Sequence, residues 1–281
     1  MSTHILNSAL IDQYRAHLLA AERSRATVDK YMRDIRAFCK DLPADCAVTK
    51  EYVLRYKEEI VAGYSAGSVN SMLAAINGLL RFAGWENLRV KQLKVQRRAF
   101  CEKERELSKR EYQRLVEAAA KKNNTRLNLV MQTICATGIR VSELRFITVE
   151  ALALRHAEVA CKGKRRTVLL SKQLCQLLCQ YVKQQQIKEG SIFVTRSGAP
   201  LNRSNIWSDM KKLAEEAGVA PEKVFPHSLR HLFARTYYNL EKDIAHLADI
   251  LGHSNINTTR IYVISSALEH EKQLERLQLV I

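Results

Sequence analysis

Nothing in this sequence is built to enter a membrane. No apolar run approaches the ~20 residues that span a bilayer, and the opening MSTHILNSALIDQY lacks the pattern of a secretion signal. Internal repeats and low-complexity tracts are absent too, which excludes solenoids and linker-like disorder. The seven cysteines (Cys39, Cys46, Cys101, Cys135, Cys161, Cys175, Cys179) are odd in number and contain no CxxC pair. That argues against a disulfide framework; reduced, mostly buried thiols in a cytosolic protein are expected. Cys175 and Cys179 can share a helix face, but no nearby histidine pair completes a zinc site, so they read as core. No cluster of carboxylates suits Mg²⁺. The sequence thus predicts a cytoplasmic protein with neither metal nor cofactor.

What is abundant is positive charge. Lys and Arg number 45 against 29 Asp and Glu, a net charge of +16. Such a surplus suits a polyanion, most simply nucleic acid. A merely solubilising surface explains it less well, because both parts of the chain are basic. Residues 1–105 carry 18 cations and 12 anions, and residues 106–281 carry 27 and 17. A protein that grips a duplex from two sides needs that distribution. At 281 residues and 47% hydrophobic content, two globular domains with a core each are expected.

Residues 8–21 predict a helix with Leu10, Ile11, Tyr14, Leu18 and Leu19 on one side. Ser24 caps a second, with Val28, Tyr31, Met32, Ile35, Phe38 and Cys39 at helical spacing. Thr49 caps a third. After the breakers between Gly63 and Gly67, a fourth carries Val69 to Leu80 and ends near Gly84. This is a small four-helix domain over residues 1–88. Its polar faces present Lys30, Arg33 and Asn70; Lys30 and Arg33 are candidate DNA contacts, although an ordinary solvated face explains either one. Residues 89–105, RVKQLKVQRRAFCEKER, lack an apolar period. They read as a basic interdomain linker, laid along a phosphate backbone or simply exposed.

The second domain, residues 106–281, opens on a capping box from Ser108 to Glu111. Thr125 caps the next helix, and Gly138 ends it in the left-handed conformation. Arg140 follows, with Glu143 three residues on and able to hold its guanidinium; taken alone this is an ordinary surface pair. Residues 157–170 alternate as two strands around Lys162-Gly163-Lys164-Arg165, a β-hairpin with a basic tip that suits a DNA groove. Ile192 to Thr195 reads as a short strand. Asn202 or Ser204 then caps a helix with Ile206, Trp207, Met210, Leu213 and Ala214 toward the core. Arg203 and Asn205 near its start are residue types that read a major groove. With Lys164 and Arg165 they complete the candidate DNA contacts. Beyond Tyr262 the sequence predicts an amphipathic tail helix that folds back or docks on a neighbour.

Residues 225–262, FPHSLRHLFARTYYNLEKDIAHLADILGHSNINTTRIY, hold the chemistry. In a helix that starts after Pro226, His227 and Arg230 share one face. A guanidinium fork fits two phosphate oxygens. An imidazole moves a proton near neutral pH, and a tyrosine hydroxyl can act as a nucleophile. His227, Arg230, His253 and Tyr262 together suit attack on a phosphodiester that leaves the product attached to the protein.

At ATGIRVSEL, KGKRR, FPHSLRHLFA and LGHSNINTTRIY the chain resembles the tyrosine recombinases of the phage integrase family. It is nearest in layout to the Xer-like members, and the resemblance covers nearly its whole length. It implies a mainly α fold with a small β-hairpin: a helical core-binding domain, a linker, and an α+β catalytic domain with a tail helix. It assigns catalysis to Arg140, Lys162, His227, Arg230, His253 and Tyr262, with Glu143 as acidic support. The implied reaction is site-specific recombination of double-stranded DNA at paired sites, through a 3′-phosphotyrosyl bond and without ATP or water. In it Arg140 and Arg230 hold the non-bridging oxygens, His227 takes the phenolic proton, Lys162 protonates the departing 5′-oxygen and His253 bonds the phosphate. The resemblance further implies a monomer in solution and four protomers around two duplexes, with tail helices exchanged.

The hairpin turn is shorter than the Xer pattern, which leaves Lys162 and Lys164 both open as the lysine. Val-Ile follows Tyr262 where Thr-His is common, and no arm-binding domain is expected ahead; both point to a simple recombinase of a mobile element. Two alternatives stay open. A type IB topoisomerase-like enzyme shares the cleavage but uses no partner strand. A DNA-binding regulator would trap no phosphotyrosine.

Overall fold

A computed structural model describes residues 4–95, 106–161, 164–195, 197–262 and residue 275. It falls into two compact units, Met1–Arg97 and Arg98–Ile281. The architecture is mainly helical, with small antiparallel pairings. No helix among the described residues is long and apolar enough to cross a membrane.

In the first unit, α1 (Ser8–Ala20), α2 (Arg25–Cys39), α3 (Lys50–Gly63) and α4 (Ala66–Phe82) start at the side-chain caps Asn7, Ser24, Thr49 and Ser65. Each cap oxygen accepts an amide that the first turn leaves unpaired, for about 1 kcal/mol. Ile35, Phe38, Val53, Val69, Leu73, Ile76 and Leu79 are fully buried and make the core. A two-residue pairing, β1 (His4–Ile5) with β2 (Ala47–Val48), ties the start of the unit to the segment before α3. Leu19, expected inward, is 48% exposed; Tyr14 and Leu18 are the buried residues of α1, and the half-buried Leu10 and Ile11 pack on the same core.

The expected linker begins inside this unit. The Asn77 side chain donates to the Val90 carbonyl at 2.8 Å and accepts the Val90 amide at 3.0 Å. Asn70 does the same for Leu93, at 2.9 and 2.7 Å. Asn70 is therefore committed to the chain's own backbone and is not part of a free polar face. Residues 96–105 lie outside the described residues.

The second unit is organised on α6 (Thr125–Thr137), whose Val130, Met131, Thr133 and Ile134 are fully buried. Packed on it are α5 (Lys109–Lys121), α8 (Lys172–Gln184), α9 (Arg203–Glu216) and α10 (Pro226–Glu241). Its cap is Asn124, not Thr125, which is already the first helical residue. The capping box of Ser108 and Glu111 is formed, and α7 (Val149–Leu154) leads into the hairpin. There β3 (His156–Cys161) and β4 (Lys164–Leu169) pair from His156↔Leu169 to Cys161↔Lys164. Ile192 to Thr195 is not a strand. Isolated bridges, Thr148↔Ser191 and Val194↔Pro200, hold that segment instead, with Ile192 and Phe193 buried.

Two further expectations are corrected. Trp207 is 47% exposed. The buried stripe of α9 is Ile206, Met210, Leu213 and Ala214, and one residue past Ile206 lies about 100° round the helix. The Lys211 ammonium covers the indole, 5.4 Å from its centre. The cysteines are not mostly buried: among those with described side chains, Cys175 is buried, Cys39, Cys46 and Cys135 are half-buried and Cys179 is exposed.

Candidate active site

The site is assembled where α6, the hairpin and the start of α10 meet. Gly138 ends α6 with φ +65°, a conformation that favours glycine; a Cβ there would also collide with the Phe233 ring. The chain then turns through Ile139 into Arg140, which starts a short 3-10 helix over Val141–Phe146. Three residues on, Glu143 is 1% exposed, and its carboxylate is fully used. Oε1 accepts Arg140 Nη1 at 2.9 Å, while Oε2 accepts the Arg140 amide at 2.8 Å and Arg166 Nη2 at 2.7 Å. A buried carboxylate needs such partners. The Arg140 side chain remains 34% exposed.

Pro226 opens α10, and Ser228 accepts the Phe225 amide at 3.3 Å. The fixed φ of proline and the side-chain cap together start the helix here. His227 and Arg230 then stand three residues apart. Arg230 is 1% exposed. Its Nη1 donates to the Gly138 carbonyl, its Nη2 donates to the Leu251 carbonyl at 2.7 Å, and the same Nη2 lies 3.0 Å from His253 Nε2. A guanidinium has no acceptor, so His253 Nε2 accepts. The imidazole proton therefore sits on Nδ1, which donates to Thr259 Oγ1 at 2.8 Å. Arg230 Nε is buried with no hydrogen-bond partner among the described residues.

Asp243 caps α11 (Ile244–Leu251), Gly252 ends it at φ +65°, and Asn255 caps α12 (Ile256–Arg260). This carries Tyr262 back over α10. Tyr262 is 4% exposed, with its hydroxyl 3.4 Å from His227 Nε2. Three imidazoles surround its ring. His231 stands edge-on at 4.3 Å between centres, His253 lies nearly parallel at 5.7 Å, and His227 is at 5.9 Å.

The electrostatics follow from burial among cations. Loss of solvent, then the charges of Arg230, Arg203 and Arg140, holds the His227 pKa below the usual imidazole value. Burial, then Arg230, Arg140 and Arg166, pushes His253 down to about 4. Burial, then His227, Arg235 and Arg230, takes His231 to about 3. Arg230 itself falls to about 10 through burial and Arg140, an effect that Tyr262 and Glu143 partly offset. All three imidazoles are neutral at pH 7 and can accept or relay a proton.

The structure thus brings together Arg140, Glu143, His227, Arg230, His253 and Tyr262. Lys162 lies outside the described residues, and Lys164 is placed by its backbone alone, opposite Cys161. Arg165 is exposed on β4. Arg203 is the first residue of α9, exposed, and near enough to His227 for its charge to act there. Asn205 is exposed, and its amide donates to the Asn202 cap at 2.8 Å. In the first unit, Lys30 is paired with Asp34 and donates to the Ser71 carbonyl at 3.1 Å, while the Arg33 side chain is 74% exposed. Sequence reasoning missed His231, although it stands four residues from His227 and so on the same helix face. It also missed Arg166. Among the described residues no group of three or more His, Cys, Asp or Glu is placed to hold a metal ion.

Comparison with known proteins adds an independent line. Residues 105–269 match the model of the phage integrase family, and residues 11–87 match its N-terminal SAM-like domain. Tyrosine recombinase XerA of Pyrococcus furiosus is 25% identical over 100% of this chain and 98% of its own length. Among solved structures, a lambda integrase dimer bound to a COC' core site has a TM-score of 0.74 at 18% identity, covering 92% of this chain and 95% of that one. XerH bound to its difH substrate has a TM-score of 0.69 at 17% identity, covering 99% of each.

Proposed function

The chain belongs to the phage integrase family and is a site-specific tyrosine recombinase, and from that premise we propose how its own residues carry the reaction. The Tyr262 oxygen attacks a DNA phosphorus. The phenolic proton passes to His227 Nε2 as the bond to phosphorus forms, because a free phenol with pKa about 10 stays protonated at neutral pH. The bond from phosphorus to the 5′-oxygen breaks, and the hairpin lysine, Lys162 or Lys164, protonates that oxygen. The products are a 3′-phosphotyrosyl bond and a free 5′-hydroxyl. The 5′-hydroxyl of a partner strand reverses these steps, so one phosphodiester replaces another. Arg140 and Arg230 hold the non-bridging oxygens as charge gathers on them. His253, with Nε2 accepting from Arg230 and Nδ1 donating to Thr259, keeps Arg230 in place.

One observation carries this reading: a phenol 3.4 Å from a neutral imidazole, beside the buried guanidinium of Arg230. We further infer a cytoplasmic monomer that assembles as four protomers on two duplexes. Its candidate DNA contacts are Lys30, Arg33, Lys164, Arg165, Arg203 and Asn205.

The test is to incubate the protein with the DNA flanking its own coding sequence and map covalent protein–DNA adducts. Tyr262→Phe should bind the same DNA and form none; adducts that persist in this variant would move the nucleophile elsewhere. Two guanidiniums and a lysine supply the positive charge, so adduct formation should continue in EDTA. Loss of adducts in EDTA, restored by Mg²⁺, would overturn the mechanism. Exchange between two sites, rather than relaxation of one duplex, separates a recombinase from a topoisomerase.

A further inference from the structure

Arg166, given no role above, joins separate parts of the site. From β4 its Nη2 donates to Glu143 Oε2 at 2.7 Å, and its Nη1 donates to the Ile250 carbonyl at 2.9 Å. Its stem lies on Gly252, where a Cβ would stand 2.5 Å from Arg166 Cδ. Gly252 is the residue before His253. One side chain therefore ties the hairpin to the turn that carries Arg140 and Glu143, and to the end of α11 from which His253 hangs. Its charge matters as well. The buried Glu143 carboxylate is shared between two guanidiniums, so Arg140 does not neutralise it alone. The side chain of Arg140 keeps 34% of its surface open to solvent.

We propose that Arg166 is a positioning residue of strand cleavage. It holds Glu143 so that Arg140 is aimed at the scissile phosphate, and it holds the Ile250–Gly252 turn so that His253 stays against Arg230. This role rests on the recombinase reading above. A planar fork reaches both acceptors at once, whereas an ammonium is a single point and keeps only one of them.

The experiment uses full-length protein and the duplex recovered from adduct mapping. Adduct formation rate at saturating protein, and DNA affinity, are measured for wild type, Arg166→Lys and Arg166→Gln. Each is also measured on the same duplex with a methylphosphonate at the scissile position. There a methyl group replaces one charged oxygen, so the aim of Arg140 matters less. Arg166→Gln should lose on the order of 10²-fold in rate on the phosphodiester, with affinity unchanged and Arg166→Lys intermediate. The loss should shrink several-fold on the methylphosphonate. Equal losses on both substrates, or a loss that tracks affinity, would overturn the proposal, since a residue that only supports the fold cannot respond to substrate charge. If Arg166→Gln does not fold, the same comparison with Arg166→Lys decides. Wild-type protein that forms no Tyr262-dependent adduct would sink the recombinase reading and this role together. Wild type that forms adducts, matched in rate by Arg166→Gln, would sink this role alone.

Discussion

His227 must be neutral to take the proton of Tyr262, and its surroundings keep it so. Burial comes first, then three arginines, and both disfavour the imidazolium. A free histidine titrates near pH 6.5; the shift is downward, so the neutral form persists to lower pH. The acid limb of single-turnover adduct formation should therefore have its midpoint below about 6.5. An acid limb at or above about 6.5 would contradict that environment. His227→Gln should slow adduct formation by about 10²- to 10⁴-fold in the same assay. His227 with Arg230, and Arg140 with Glu143, were legible in the sequence because three-residue spacings are settled by local helix geometry. Arg166 was not, because its partners Glu143 and Ile250 lie 23 and 84 residues away. Nor was His231, whose contact with Tyr262 exists only after α11 and α12 fold the chain back.

At the scale of the element, the same contrast separates helices from the segments between them. Most helices announced themselves through caps and apolar spacing, and the capping box at Ser108 formed as read. The segment after α4 did not, since its order comes from amide side chains on a neighbouring helix and not from an apolar period. Asn77 alone serves both backbone groups of Val90, and Val90 is buried. Asn77→Ala should destabilise the first unit by about 2 kcal/mol, because part-buried backbone groups lose their partners. Urea unfolding of full-length protein, followed through Trp85 fluorescence in a Trp207→Phe background, reads this. No change in midpoint would mean that water replaces the asparagine freely. Trp207 shows where spacing fails: a hydrophobic residue adjacent to the buried Ile206 sits on another side of α9, and only its neighbours in space show which.

Over the whole molecule, charge and titration set the conditions of use. With a net charge of +16 spread over both units, DNA affinity should fall steeply with salt, by about 0.9 log unit per log unit of salt for each phosphate neutralised. A binding constant flat in KCl would remove DNA as the partner. His231 and His253, held at about 3 and 4, bind protons more readily unfolded than folded. Their contribution to stability is therefore fully present above pH 6.5 and is lost as pH falls toward 4. The urea midpoint of the second unit should drop through that window, and His231→Phe should flatten the drop. A midpoint equally pH-dependent in that variant would place the sensitivity elsewhere.

Tyr262 is 4% exposed and Arg230 1%, while Arg140 is open at 34% of its side chain. An idle copy of the protein thus keeps its blade sheathed. Tyrosine-directed reagents should label Tyr64, 58% exposed, long before Tyr262. The order should reverse only when a duplex arrives and draws the phenol out, so that the DNA to be cut is also the key that unlocks the cutter.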